Sequence, residues 1–339
     1  MGTPDLPGAA LTPAASGAIP GSVRGRLARI FPGERIALVE RVDEMAGRFD
    51  ALTDQRPATC GAYALSYLLE PLGFARRGEL DLRDEDALAH LAGVVIEDYE
   101  IEPSEAVAAR VRSGELSEAE ALDRFRKVWY RYPVRASNDP VISGTSPMGV
   151  ARAIAVGTAG GLGTVPIPGR RGGLGDGDVQ LTVDHWEALF DLLAERLDDW
   201  GLHVVFNYEV DRLLKPNDPG YTAEALRSPD ATERLARDDW HVGHFVGLAG
   251  LWRRPWGERW LMLFDTYKER GFDGYQPQPA ELMRQGLVRQ DGRGGGLLLV
   301  LPAARLAEGI RAVQDLGLAV RPWSNGSPDP DDWQWQPGR

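Results

Sequence analysis

Cysteine is almost absent: the chain of 339 residues contains one, Cys60. A lone thiol cannot staple the fold within the chain or share a four-thiolate metal site, so it either packs in the core or reacts. Basic residues are outnumbered, with 38 Lys and Arg against 50 Asp and Glu and a net charge of −12. That leaves no basic excess to neutralise phosphates, which argues against a general nucleic-acid binder. No apolar run approaches the roughly 18 residues that a membrane helix needs. The first 22 residues also lack a basic stretch followed by an apolar one, so they do not read as a signal peptide. A single unpaired cysteine and no targeting segment make the cytoplasm the expected location. There is no internal repeat, no Gly-Lys-Ser/Thr, and no Gly-x-Gly-x-x-Gly between a strand and a helix, so a nucleotide phosphate site is not expected.

What the chain does have is apolar bulk. Hydrophobic residues make up 43%, with ten Trp and nine each of Tyr and Phe, enough for a real core in one large or two modest domains. Residues 1–22, rich in Gly, Ala and Pro, are expected to form a flexible tail. A short helix is predicted over Ile36–Phe49. The acidic stretch 76–140 reads as a helical insertion, and Ser117 with Glu120 gives a capping-box signature for a helix running to about Tyr130. A helix starts over Met148–Val156, followed by a glycine-rich loop at 157–177. Trp186, Leu189, Phe190, Leu193 and Leu197 recur at helical spacing, and Gly201 ends that helix. Strands are expected at His203–Val210, Phe245–Ala249, Trp260–Phe264, Leu297–Leu301 and Leu318–Val320, with a helix over Pro302–Leu316. Residues 326–339 read as a loose tail.

Cys60 sits in Asp54-Gln-Arg-Pro-Ala-Thr-Cys-Gly-Ala-Tyr-Ala-Leu-Ser-Tyr-Leu-Leu-Glu-Pro-Leu-Gly73. Pro57 and Thr59 read as a helix entry, the apolar run after Cys60 as a buried helix to about Leu69, and Pro71 as its stop. A thiol in the first turn of such a helix feels the positive end of the helix dipole. Gln55, five positions upstream, offers an amide N–H to an oxyanion at the thiol.

This block resembles the papain-like cysteine peptidases, specifically their bacteriocin-leader-processing branch and its stand-alone relatives. Gln55, Cys60, Gly61 and the Leu72-Gly73 end carry the likeness. Ala62 stands where a Pro is common, and the Gln-to-Cys interval is one residue shorter than in many members. Gly243-His-Phe-Val-Gly-Leu248 is similar to the family's Gly-His-aromatic strand, and Leu263-Phe-Asp-Thr-Tyr267 to the strand whose end carries an orienting Asp or Asn. Gly144-Thr-Ser-Pro-Met-Gly-Val-Ala-Arg-Ala-Ile154 is a weaker echo of the family's middle helix. The order Cys, His, Asp is that of papain, and these segments cover about a quarter of the chain.

The resemblance implies an α+β papain-like fold of N-terminal helices on a mostly antiparallel sheet, with no cofactor. It implies Cys60 as nucleophile, His244 as base, Asp265 as orienting group, and Gln55 with the Cys60 backbone N–H as oxyanion donors. His241 competes with His244, and Asp239 and Asp273 with Asp265. A His241–His244 metal pair lacks a third ligand at suitable spacing. Gly61 and Trp252 are candidate substrate contacts. The glycine-rich stretch is read either as a mobile loop or as a lid whose Arg170 and Arg171 meet a substrate carboxylate. A symmetrical hairpin centred between Arg254 and Pro255 would set Trp252 opposite Gly257, Leu248 opposite Leu261 and His244 opposite Asp265. The expected activity is peptide or amide hydrolysis through a thioester. An acyltransferase or transglutaminase-like enzyme, one acting on a small or carrier-bound acyl group, and a non-catalytic papain-like binding module are the alternatives. The sequence leaves the oligomeric state open.

Overall fold

The computed structural model describes residues 22–97, 109–117, 119–121, 130–137, 139, 142–171 and 178–337. Of the expected tail at 1–22 all but Ser22, which caps the first helix, lies outside them, as does the helix from Ser117 beyond residue 121. At its start the capping box is made: Glu120 N–H donates to Ser117 Oγ at 3.2 Å and Ser117 N–H to Glu120 Oε2 at 2.9 Å.

The architecture is α+β. A seven-stranded antiparallel sheet runs in the order β10-β9-β8-β7-β11-β6. Its strands are β6 (Leu162–Pro168), β7 (His203–Glu209), β8 (Gly243–Arg253), β9 (Arg259–Phe264), β10 (Tyr275–Pro279) and β11 (Gly296–Pro302). The seventh, β1 (Ile36–Leu38), lies against β8 through Ile36–Trp252 and Leu38–Gly250, alongside the half of β8 that β7 leaves unpaired. β11 explains its own sequence: it is an inner strand between β7 and β6, and Leu297 to Leu301 are all buried, so no polar alternation survives.

Helices α1 (Val23–Ile30), α2 (Val42–Ala51), α3 (Cys60–Ser66), α4 (Glu85–Ala92) and α5 (Pro147–Gly157) precede the main sheet strands β6–β11. Between them come the short pairs β2–β3 (Arg76–Arg77, Leu80–Asp81) and the parallel β4–β5 (Val95–Glu97, Arg135–Ser137). α3 packs on β8 and against α4 and α5. α6 (Val183–Arg196), α7 (Ala280–Val288) and α8 (Leu306–Asp315) complete the layers. No helix of the described residues is long and apolar enough to cross a membrane.

Several expectations change. Ile36–Leu38 is a strand, and the helix begins only at Val42, because the strand's partner lies more than 200 residues away on β8. The stretch taken as an insertion supplies α4, whose buried Asp86 pairs with Arg56 next to the Cys60 helix; α4 is part of the core. The glycine-rich stretch contains β6, and a Cβ on Gly163 would approach Leu306 Cδ2 to 2.8 Å, so that glycine serves close packing. Residues 318–320 form no strand. The C-terminal stretch is anchored: Asn325 and Ser327 are buried, Asp332 pairs with Arg152 at 2.7 Å, and Trp335 Nε1–H donates to Thr164 O at 3.1 Å.

Candidate active site

The approach to Cys60 is held from several sides. Gln55 N–H donates to Thr266 O at 3.1 Å, and Lys268 N–H to Asp54 Oδ1 at 2.7 Å, which ties this loop to the chain just after β9. Arg56 grips both Asp86 oxygens at 2.5 and 2.7 Å beneath the Tyr130 ring. Thr59 Oγ1–H donates to Arg56 O at 2.6 Å and also meets Glu85. Burial pushes Glu85 up to about 7, although hydrogen bonds from Thr59 and the Arg56 N–H work the other way. Ala58 is left-handed at φ 60°, a conformation costing a non-glycine residue about 1–2 kcal/mol. The strained turn then delivers Cys60 as the first residue of α3, 9% exposed. The regular helix ends at Ser66, short of Leu69, and continues as turns to Gly73.

His244 and Asp265 meet beneath this helix start. His244 Nε2 lies 3.2 Å from Asp265 Oδ1, and the Cys60 thiol stands close enough to the same ring to favour its charged form. The pairing differs from the symmetrical hairpin. Leu248 faces Leu263 and Trp252 faces Trp260, with a bulge between Leu248 and Gly250 and the tight turn at Arg254–Glu258. Continuing the pairing past Gly247–Phe264 sets Asp265 opposite Val246, two residues from His244. A two-residue offset keeps both side chains on one face, as diagonal neighbours about 7–8 Å apart at Cα, which a ring and a carboxylate span.

Asp265 is fully buried and saturated with donors: Arg270 Nε at 3.2 Å, the Tyr267 N–H at 3.1 Å, and the Gln276 amide. Arg270 also pairs with buried Asp238. Burial alone would raise the Asp265 carboxyl, but His244, Arg270 and the Tyr267 N–H hold it below its ordinary value. For His244 burial works against the charged ring, yet the Asp265 carboxylate and the bonds to Asp265 and Cys60 outweigh it, raising the imidazole to about 9. Thr266 Oγ1 lies 3.1 Å from Nε2. Tyr267 stacks on the ring at 5.9 Å and 19°, and Trp240 lies against it at 5.5 Å.

Gln55, Cys60, His244, Trp240 and Tyr267 line an open cleft of about 590 Å³. Of the competing residues, His241 also reaches the cleft, but its ring, with the side chain 77% exposed, turns to Asp211 at 2.8 Å. Asp239 pairs with Lys215 at 2.7 Å, and Asp273 sits at φ 56° in the turn before β10. Gly61 is a packing residue, since a Cβ there would meet Thr145 Cγ2 and Val150 Cγ2 at 2.8 Å. Trp252 is buried against Phe31 at 4.8 Å, away from the cleft. Arg170 donates to the Val288 and Arg289 carbonyls at 3.0 Å and does not line the cleft; Arg171 is exposed beside residues 172–177, which lie outside the described set. The residues that sequence reasoning missed are Arg270, Gln276, Trp240 and the role of Tyr267. Only Tyr267, inside the Leu263–Tyr267 motif, carried a local signal.

A search of the curated proteins finds no match to the sequence. A family of unknown function matches residues 39–324, a span that includes Gln55, Cys60, His244, Asp265 and Tyr267. The chain therefore belongs to that family of unknown function, DUF6885.

Proposed function

We propose that the protein is a papain-like cysteine hydrolase that cleaves a peptide or amide bond through a thioester on Cys60. The supporting observation is the continuous chain Cys60–His244–Asp265, buried at its orienting end and opening at Cys60 and Gln55 onto a cleft. Raised to about 9, His244 accepts the Cys60 proton and keeps it at neutral pH. The sulfur adds to the substrate carbonyl, and the oxygen takes the negative charge beside Gln55. The C–N bond breaks as His244 returns its proton to the leaving amine. Water then enters, His244 takes one of its protons, and the thioester opens to a carboxylic acid and free Cys60. Asp265, fixed by Arg270, Gln276 and the Tyr267 N–H, holds the ring throughout. Chemistry up to the thioester is common to hydrolysis and to transfer onto an amine, so the nucleophile that enters second decides between them.

Acetylation by p-nitrophenyl acetate tests this reading. A burst of one p-nitrophenolate per chain, with acetyl on Cys60 by mass spectrometry, is expected. A chain that stays unmodified on Cys60 would leave a non-catalytic binding module as the better description.

The pH profile gives a second check. A catalytic ring held near 9 keeps its proton below that value and loses it above, so turnover should fall through a basic limb near pH 9. Asp265→Asn removes the charge that raises His244 and should move the limb downward, towards the ordinary histidine value of about 6.5. A limb unmoved by this substitution would belong to another group.

A further inference from the structure

We propose that Tyr267 is a catalytic residue of this site, its hydroxyl donating a second hydrogen bond to the substrate oxyanion alongside Gln55; the inference rests on the acyl-transfer reading above. Four contacts fix the residue. Its backbone N–H is bound to Asp265 Oδ1 at 3.1 Å, which ties its position to the group that orients His244. Its ring lies parallel to the His244 ring at 5.9 Å and meets Trp240 edge-on at 5.5 Å and 69°. Its hydroxyl accepts the Gln55 Nε2–H bond at 3.0 Å.

That last bond sets the direction of the phenol proton. A phenol oxygen that accepts from Gln55 has its own O–H left to give, and Gln55, Cys60 and Tyr267 share the wall of one cleft. A carbonyl oxygen under attack by Cys60 therefore meets a relay, amide N–H to phenol O–H to oxyanion, in which each bond polarises the next. The phenol also stays protonated as a donor must, because burial, followed by the nearby Cys60 and Asp265, raises it above its ordinary value. No bond to Tyr267 forms or breaks in the reaction: it contributes a hydrogen bond that strengthens as the carbonyl oxygen gains charge.

Two probes separate this role from a structural one. Acetylation of Cys60 by p-nitrophenyl acetate passes through an oxyanion, whereas alkylation by iodoacetamide displaces iodide at carbon and develops none. Tyr267→Phe keeps the ring on His244 and removes only the hydroxyl. It should slow acetylation by about 10²-fold and leave the alkylation rate within about twofold, the range of one oxyanion donor being 10²–10³. Gln55→Ala should show the same split. If Tyr267→Phe slows both probes alike, Tyr267 only positions His244 and the inference is overturned; unchanged acetylation overturns it equally. A wild-type chain whose Cys60 reacts with neither probe would instead bring down the acyl-transfer reading, and this inference with it.

Discussion

Cys60→Ala is expected to abolish turnover while the chain keeps its fold. The loss should be on the order of 10⁶ in kcat, the scale seen when a covalent nucleophile is removed from a catalytic triad, because the chain holds no second thiol to form the thioester. The stability cost should be small, about 1 kcal/mol, since a single sulfur is removed at a position where the core meets the cleft. Thermal unfolding of the variant beside the wild type, with p-nitrophenolate release measured on the same samples, separates the two effects. Full turnover in the folded variant would end the thioester mechanism. Unfolding of the variant would make Cys60 a core residue.

Arg270→Met should produce the largest stability change. Arg270 is 7% exposed and lies between two buried carboxylates, bonded to Asp265 at 3.2 Å and paired with Asp238. Methionine fills much of the same volume but leaves both acids without their shared cation. Removing one partner of a buried ion pair typically costs about 3–5 kcal/mol, because the remaining charge stays desolvated. Against a total stability of about 5–15 kcal/mol, that is a large part of the margin. The midpoint of urea denaturation should fall accordingly, and any folded fraction should have lost the constraint on Asp265 and hence on His244. A stability loss below about 1 kcal/mol, taken from the same denaturation curves, would mean that His244, Gln276 and the Tyr267 N–H hold Asp265 without Arg270.

Much of the site was legible because its signals are local. Cys60 opens a helix, His244 lies at the start of a strand and Asp265 follows the end of the next, and each shows in a run of five to ten residues. The pairing between the two strands was not legible in detail. A bulge between Leu248 and Gly250 and a turn at Arg254–Glu258 displace it from the symmetrical register, and neither has a distinctive residue pattern. His244 and Asp265 still meet because the displacement preserves the face. Two short strands were invisible: β1, whose partner lies more than 200 residues away, and β10. β10 reads Tyr-Gln-Pro-Gln-Pro, and prolines argue against a strand in general, but it is an edge strand where a missing N–H is tolerated. Arg270 and Gln276 reach Asp265 only because the chain turns back between β9 and β10, so composition and spacing gave no warning of them.

The central claim is that Cys60 is a nucleophile and not a packed thiol, and one comparison tests it most directly. The rate of Cys60 alkylation by iodoacetamide at neutral pH should be measured in the native chain and again in the same chain unfolded in urea. A thiol set against an imidazole base should react faster folded than unfolded, despite being only 9% exposed. A native rate slower than the unfolded one would show a thiol that is merely buried and would contradict the account.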